Sequence, residues 1–457
     1  MMKIINNSVL QKILNINMHE GISVKNATFN TFWIVIEKVL RIGIAFFVTP
    51  MVTNYLGLTD YGQYTYVTTY YNLFIVFVDL GLGNAIVKEF IKHKDNPRVH
   101  GSLYILRLFG SIISSLSMFL VYVVVGEEDT SLLILMGIAS LKFIFISLGS
   151  IDLYLQSISK FKTISIIRNI AYLMITVMQI VFVLLKLPLM YFMISFSIEI
   201  LLVEIGMFIT YKNQGGQIQK WEIDWKYLVS ILKDYYPIII TAFASTVSLR
   251  ISQILIGEMI NKESLGIYSI AIKLTEIWYF AISSVNAVLV PILLGKKENN
   301  DKKYKSYMQR MFDLMTWVGL GVVLLVIVST QILLYLLYDP VYWDAGKYVL
   351  IYSLNMLTSA QAVATSVWYL SENLQKFSMR ISIAGMLLSF FLNYILIRLF
   401  GVYGAASATI LSSLFILWIL PLFSKKTRPI VFMLLKSLNL FNIYRDIRQI
   451  IKQNKIS

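Results

Sequence analysis

Cysteine is absent from the 457 residues, so disulfides, thiolate metal sites and cysteine nucleophiles are excluded. Charged residues are also scarce, at 14%, whereas hydrophobic residues make up 57%. A soluble domain holds about 25% charged and about 45–50% apolar residues. The composition therefore excludes an ordinary soluble globular protein and indicates one that lies largely in a membrane.

Sequence signals for nucleotide hydrolysis and metal catalysis are lacking. No Gly-x4-Gly-Lys-Ser/Thr phosphate loop occurs. The histidines, His19, His93 and His100, fall in predicted cytoplasmic segments without metal-ligand spacing. The predicted outer loops are short and leave little room for the carboxylate base and sugar surface of a glycosyltransferase or polymerase. We therefore expect no enzyme activity, no metal and no cofactor.

Apolar runs of about 20 residues recur along the chain, which is the length of a helix that crosses a bilayer. Counting the runs between polar breaks predicts twelve spans, numbered here in chain order. They cover 29–54, 63–87, 103–125, 132–155, 164–185, 189–211, 236–260, 267–294, 308–337, 349–371, 381–400 and 402–423. The predicted fold is all-α, a polytopic membrane protein with about 12 transmembrane helices.

The distribution of basic residues predicts the orientation. Of the 40 lysines and arginines, 28 fall in the two tails and the loops that follow even-numbered spans. The opposite loops hold only Lys186, Lys262 and Lys347. Cytoplasmic loops carry the excess of basic residues, so both termini are predicted to be cytoplasmic. This asymmetry accounts for most of the net charge of +15, and we expect membrane lipids, not nucleic acid, as the partner of these residues.

The spans predict five parts. A cytoplasmic tail (1–28) precedes an N-terminal six-helix bundle (29–211), and a cytoplasmic amphipathic linker (212–235) leads to a C-terminal six-helix bundle (236–423). A basic amphipathic tail (424–457) follows. In the linker, bulky residues recur at helical spacing, which predicts a helix that lies on the membrane and joins the two halves.

The two bundles are predicted to be parallel repeats. A shift of 204 residues places 61–65 (YGQYT) on 265–269 (LGIYS), and the basic loop at Lys92 on that at Lys296. Two halves in the same orientation are related by an axis along the membrane normal, and the cavity between such halves is the expected substrate site.

Basic residues inside the spans are candidate functional residues. Arg41, Lys142 and Arg250 lie near the centres of spans 1, 4 and 7, and Lys273 lies in the outer half of span 8. A charge at membrane depth costs on the order of 2.5–3.5 kcal/mol on insertion scales, so such residues are expected to face partners or a watery cavity. Three further arginines near cytoplasmic ends are expected to be interfacial anchors. They are Arg107, Arg168 and Arg310.

Acidic residues in the spans are candidate partners. They are Glu37, Asp79, Glu199, Glu204 and Glu276. Glu37 is four residues from Arg41, and Lys273 is three from Glu276, so each pair lies on one helix face. Two interpretations stay open. In the first, each pair is an ion pair within one helix that makes the charge tolerable in the membrane. In the second, the cations line a cavity that accepts an anionic ligand, and the acids bind a coupling proton or sodium ion. Lys38 is expected to face a neighbouring helix.

Several short sequence elements resemble one family of transporters. The first group comprises 30–33 (NTFW), the Glu37-Lys38-x-x-Arg41 cluster, 54–64 (NYLGLTDYGQY) and 79–82 (DLGL), and a later one is 401–406 (GVYGAA). Together they resemble bacterial polysaccharide flippases of the O-antigen (Wzx) type, which belong to the multidrug/oligosaccharidyl-lipid/polysaccharide flippase (MOP) superfamily. In topology the resemblance covers nearly the whole chain.

The resemblance implies a flippase of the bacterial cytoplasmic (inner) membrane. Such a protein moves an undecaprenyl-diphosphate-linked oligosaccharide from the cytoplasmic to the outer leaflet by alternating access, for surface polysaccharide assembly. A polysaccharide polymerase and its assembly machinery are then expected partners. Two alternatives remain: a cation-coupled exporter of drugs or metabolites from the same superfamily, and a membrane polysaccharide polymerase.

The resemblance also bears on the site. Arg41 matches the cationic first-span site of these flippases, and Arg250 lies on the span where they often place a luminal cation. The predicted substrate site is Arg41, Arg250, Lys273 and Lys142. Glu37, Glu199, Glu204 and Asp79 are predicted coupling residues or charge partners. A multidrug exporter is expected to present an acidic midplane, so this basic set favours an anionic lipid.

Overall fold

The computed structural model describes residues 24–93, 96–125, 130–298 and 304–439. Within these ranges the secondary structure is helical and no β-strand occurs. Eight helical segments among the described residues are long and apolar enough to cross a membrane. The predicted all-α polytopic membrane fold is therefore confirmed.

Helices α1 to α8 build the N-terminal half. They are α1 (Val24–Phe74), α2 (Val76–Asp79), α3 (Gly83–Lys92), α4 (Pro97–Val125), α5 (Thr130–Ser147), α6 (Ser150–Ser157), α7 (Phe161–Leu184) and α8 (Leu189–Asn213). Helix α1 contains span 1 and the start of span 2, and it bends at Gly57, where φ is 70° and ψ is −179°. Glycine adopts this conformation without a Cβ clash, so the turn predicted after span 1 is a glycine bend.

Helices α9 to α16 build the C-terminal half and the segment after it. They are α9 (Trp225–Met259), α10 (Lys262–Glu276), α11 (Tyr279–Glu298), α12 (Tyr304–Leu337), α13 (Ala345–Tyr352), α14 (Leu354–Ser371), α15 (Gln375–Leu414) and α16 (Arg428–Ser437). Helix α15 bends at Gly401, where φ is 56°, which separates span 11 from span 12. Each of the twelve predicted spans thus overlaps helices of the structure.

The last part of the predicted linker is helical in the structure. Helix α9 begins at Trp225, inside the predicted linker, and continues directly into span 7. It begins there because Asp224 caps it, accepting a hydrogen bond from the Tyr227 amide at 3.1 Å. The preceding residues are tied to α4: Arg98 Nε lies 3.0 Å from Glu222, and the Glu222 amide donates to the Pro97 carbonyl at 3.2 Å.

The start of the predicted C-terminal tail packs against the bundle. The Met433 carbonyl accepts from Gln309 of α12 at 3.0 Å, and the Ser437 carbonyl accepts from the Trp317 indole at 3.0 Å. Ile430 and Leu434 are fully buried. Residues 1–23 and 440–457 of the two predicted tails lie outside the described residues.

The two halves meet where equivalent positions of the repeat face each other. A Cβ added to Gly62 would lie 2.5 Å from the Lys262 carbonyl oxygen, and one added to Gly266 would lie 3.3 Å from Gly62 Cα. Positions 62 and 266 differ by the predicted repeat offset of 204 residues. A residue that contacts its own counterpart lies at the axis relating the halves. The bend at Gly57 likewise corresponds to the break at Asn261, where α10 begins.

Candidate functional site

Arg41 is held by carboxylates from two helices. Its Nη1 lies 3.2 Å from Glu199 of α8, and its Nε lies 3.9 Å from Glu37 on the same helix. Nη2 donates to the Arg168 carbonyl at 3.0 Å, and the guanidinium lies 4.8 Å from the centre of the Tyr172 ring. The contact with Glu37 agrees with the predicted spacing of four residues. The contact with Glu199 joins residues 158 positions apart.

An ionic network extends from Arg41 through the N-terminal half. Arg168 lies 3.6 Å from Glu37 and 2.5 Å from Asp152. Arg107 lies 3.0 Å from Asp79 and is almost fully buried. Arg107 and Arg168, which their sequence positions suggested as interfacial anchors, are therefore members of this ionic network, because carboxylates on neighbouring helices lie within reach. Asp152 was not among the predicted site residues.

Glu204 completes this network. It is buried, and Arg107, Arg168 and Asp152 lie within electrostatic range of it. Its Oε2 has no hydrogen-bond partner among the described residues. The network contains three arginines and five carboxylates, so the N-terminal half has enough acids for its arginines. Basic residues without an acidic partner are therefore expected among the predicted lysines, Lys142 and Lys273.

Lys142 and Lys273 are held by aromatic rings. Lys142 Nζ lies 3.4 Å from the centre of the Phe196 ring and 5.2 Å from that of Tyr71. Lys273 Nζ donates to the Tyr61 hydroxyl at 3.1 Å and lies 5.9 Å from the centre of the Tyr64 ring. Of the residues that the structure describes, no carboxylate comes within 4.0 Å of either ammonium group.

The rings that hold these lysines form one continuous cluster, which we call the aromatic ladder. It consists of Tyr61, Tyr64, Phe196 and Tyr71. Ring centres are 6.4 Å apart from Tyr61 to Tyr64, 6.2 Å from Tyr64 to Phe196 and 5.0 Å from Phe196 to Tyr71. The ladder thus connects Lys142 in the N-terminal half with Lys273 in the C-terminal half.

Arg250 lies in a separate polar group of the C-terminal half. Its Nη1 is 3.8 Å from Glu276 and donates to Gln253 at 3.1 Å. Gln253 in turn donates to Ser269 at 3.0 Å. Glu276 therefore pairs with Arg250, not with Lys273 as the three-residue spacing suggested, although Lys273 remains within electrostatic range of it.

The structure brings the four predicted cations into one chain of neighbours. Lys142 lies within electrostatic range of Arg41 and Glu199. Tyr64 lies within range of both Glu199 and Lys273, and Glu276 joins Lys273 to Arg250. Sequence reasoning missed the ladder, because its rings come from α1 and α8 and have no common periodicity.

Two cavities are lined by residues close in sequence to the predicted site residues. None of the four predicted cations lines either cavity. One, of about 200 Å³, has Glu37 in its wall and lies between α1 and α7. The other, of about 340 Å³, lies between the Gly57 bend and the end of α9. In the described ranges, no group of three or more histidine, aspartate and glutamate side chains is placed to hold a metal ion.

The fold is similar to that of several solved transporters. An inward-facing multidrug resistance MATE family transporter of the MOP superfamily is 11% identical, with a TM-score of 0.65 over 98% of this chain and 99% of that chain. The lipid II flippase MurJ in an inward closed conformation is 16% identical, with a TM-score of 0.64 over 94% and 98%. These likenesses establish the fold of MOP superfamily transporters.

A third solved structure is a MOP superfamily transporter from Pyrococcus furiosus, described as having a binding pocket of reverse polarity. It is 10% identical, with a TM-score of 0.61 over 94% of this chain and 96% of that chain. No curated protein sequence matches the chain.

Two sequence families match the chain. The MatE family matches residues 237–395, within the C-terminal half. The family described as polysaccharide biosynthesis protein matches residues 27–294, which is more than half of the chain and includes both Arg41 and the aromatic ladder. This match confirms the resemblance seen in the sequence, and the chain belongs to the polysaccharide biosynthesis protein family.

Proposed function

We propose that this protein is a flippase that moves an undecaprenyl-diphosphate-linked oligosaccharide from the cytoplasmic to the outer leaflet of the bacterial cytoplasmic membrane by alternating access. One observation carries the proposal. Lys142 and Lys273, from opposite halves, share the aromatic ladder, and among the described residues neither has a carboxylate within ion-pair distance. Two cations from opposite halves that share one ladder suit an anionic substrate.

The chemistry of this group matches a diphosphate that carries sugars. The two ammonium groups supply point charges for phosphate oxygens, and Arg41 and Arg250 lie next in the chain of neighbours. The ring faces of the ladder supply apolar surface for the CH face of a sugar. Translocation breaks no covalent bond, so we propose a transporter and no enzyme. Surface polysaccharide assembly, with a polymerase as partner, is the proposed setting.

Coupling to protons or sodium ions is a further part of the proposal. Glu37, Glu199 and Glu204 are the proposed coupling groups. The buried Oε2 of Glu204 has no hydrogen-bond partner within the part of the chain that the structure describes, which supports a role in binding a cation. Flipping would then slow in vesicles that lack an ion gradient. An undiminished rate in such vesicles contradicts coupling and leaves the flippase function standing.

The substrate site is tested by neutralising the two lysines. Lys142→Gln and Lys273→Gln should each lower flipping of the lipid-linked oligosaccharide about tenfold or more, since a bond to a charged group is worth about 1.5–3 kcal/mol. Lys347→Gln is the matched control, because Lys347 is exposed and pairs with Asp344 at 2.7 Å. If both variants restore surface polysaccharide to a deletion strain at the wild-type level, the proposed site is wrong.

A cation-coupled exporter of drugs or metabolites is the second candidate, favoured by the MatE family match. A deletion strain separates the two. Lipid-linked oligosaccharide accumulates at the cytoplasmic face if the flippase is lost, whereas loss of an exporter leaves that pool unchanged. Units that are flipped but not joined indicate a membrane polysaccharide polymerase instead.

A further inference from the structure

A small cavity at the start of α7 lies outside the proposed substrate site. It has a volume of about 200 Å³ and is walled by α1, the end of α6 and the first turns of α7. Its polar lining residues are Glu37, Lys38, Gln156, Ser165 and Arg168. None of the aromatic ladder and none of the four predicted cations lines it.

The charges of this cavity leave a positive surplus. Arg168 and Glu37 bind each other and further network members, so their charges are matched within the protein. Lys38 is exposed, and no described carboxylate lies within 4.0 Å of its ammonium group. Lys160 and Lys162, beside the start of α7, are exposed as well. One exposed lysine in the lining, with two more beside Phe161 of the lining in the sequence, favours an anionic ligand.

Residue types of the membrane interface lie beside the cavity. Lys162 Nζ lies 5.5 Å from the centre of the Trp33 ring, so a tryptophan and a lysine from two helices meet beside it. Tryptophan and lysine are typical of the boundary between hydrocarbon and headgroups. In the predicted orientation, the first residues of α1 and of α7 lie on the cytoplasmic side. Lysines at this position attract negatively charged lipids of the cytoplasmic leaflet.

We infer that the cavity lined by Lys38, Gln156 and Arg168 binds the phosphate of a lipid in the cytoplasmic leaflet. The exposed lysines hold the phosphate, and the apolar wall formed by Ile34 and Phe161 lies against the start of the acyl or prenyl chain. This chemistry is shared by a resident anionic phospholipid and by the polyprenyl diphosphate of the proposed substrate. Binding of a lipid phosphate in this cavity is separate from translocation. The inference can therefore be tested independently of the proposed function.

Native mass spectrometry of the full chain in neutral detergent tests the inference. The probes are phosphatidylglycerol, undecaprenyl diphosphate and zwitterionic phosphatidylcholine. Wild type should bind at least one anionic lipid more tightly than phosphatidylcholine. Lys38→Gln and Lys162→Gln should each weaken that binding about fivefold, the effect of one lysine near an anionic headgroup. Lys347→Gln, an exposed lysine on the predicted outer side, should leave binding unchanged.

The outcomes separate the two sources of phosphate. Binding of phosphatidylglycerol that undecaprenyl diphosphate does not displace identifies a resident lipid, and displacement identifies a loading position for the substrate. If Lys38→Gln and Lys162→Gln bind both anionic lipids as wild type does, with unchanged melting temperatures, the inference is overturned. Failure in this binding measurement leaves the flipping result for Lys142 and Lys273 unaffected.

Discussion

At the residue scale, Arg41 illustrates how a helical membrane bundle keeps a charge in its interior. Carboxylates of Glu37 and Glu199 and the Arg168 carbonyl surround the guanidinium. The side chains of the Arg41–Glu199 pair are 30% and 24% exposed, so the pair lies between a surface ion pair and a buried one. Its coupling energy should accordingly fall between those limits, at about 1–3 kcal/mol.

A double-mutant cycle measures this coupling. Arg41→Ala removes the ion-pair partner of Glu199 and should lower the free energy of unfolding in detergent, as should Glu199→Ala. The double variant should lose about 1–3 kcal/mol less than the sum of the single losses. Strictly additive losses would contradict the pairing. Flipping assays of the same variants report separately on transport.

Some ion-pair partners of the charged site residues follow from their spacing in the sequence, and others do not. The Glu37–Arg41 contact is local, since residues four apart share a helix face. The Glu199–Arg41 contact depends on how α8 packs against α1, which no local pattern encodes. For the same reason Glu276 pairs with Arg250 of another helix and not with Lys273.

At the scale of elements, the contact of α1 with α10 depends on glycine. Gly62 allows the Lys262 carbonyl to approach to a distance that a side chain forbids. The sequence marks this position, because Gly62 and Gly266 are identical residues at equivalent positions of the two repeats. The bends at Gly57 and Gly401 lie at the predicted breaks between spans. The start of α9 at Trp225 lies within the linker, where the sequence predicted a helix, and this helix continues into span 7.

Gly62→Ala should push α1 and α10 apart. The added Cβ would lie 2.5 Å from a backbone oxygen, which has no rotamer to relieve the clash, so we expect a loss of about 1–3 kcal/mol in unfolding free energy. Gly43→Ala is the matched control in the same helix, where a Cβ meets no atom within 4 Å. The control should be neutral or stabilising, because alanine favours a helix over glycine. Equal melting temperatures for the two variants would refute the close approach.

At the scale of the whole molecule, the repeat accounts for both the architecture and the position of the ladder. A shift of 204 residues, supported by few identities, predicts which segments are equivalent, and the contact between Gly62 and Gly266 agrees with it. The position of each half relative to the other depends on long-range packing, so the ladder emerges only from the structure. Tyr61 and Tyr64 follow directly on the Gly57 bend, which places them at the contact between halves.

Alternating access requires the halves to separate on one side of the ladder at a time. Towards the predicted cytoplasmic side, Phe77 of α2 and Phe243 of α9 join the halves, with ring centres 5.4 Å apart. Both side chains are half-buried, so cysteines there can be reached by a thiol reagent. The chain has no cysteine of its own, and any cross-link must therefore form between introduced residues.

Cross-linking Phe77→Cys to Phe243→Cys with a short reducible bismaleimide should abolish flipping by holding the halves together on that side, and reduction of the linker should restore it. Phe182→Cys with Tyr191→Cys is the control pair, because those rings are 5.6 Å apart within the N-terminal half. Its cross-link should leave flipping near the wild-type rate, since α7 and α8 are expected to move together. Full flipping by the cross-linked Phe77–Phe243 pair would show that separation of these two positions is not needed, and it would contradict the alternating-access step on which the proposed transport depends.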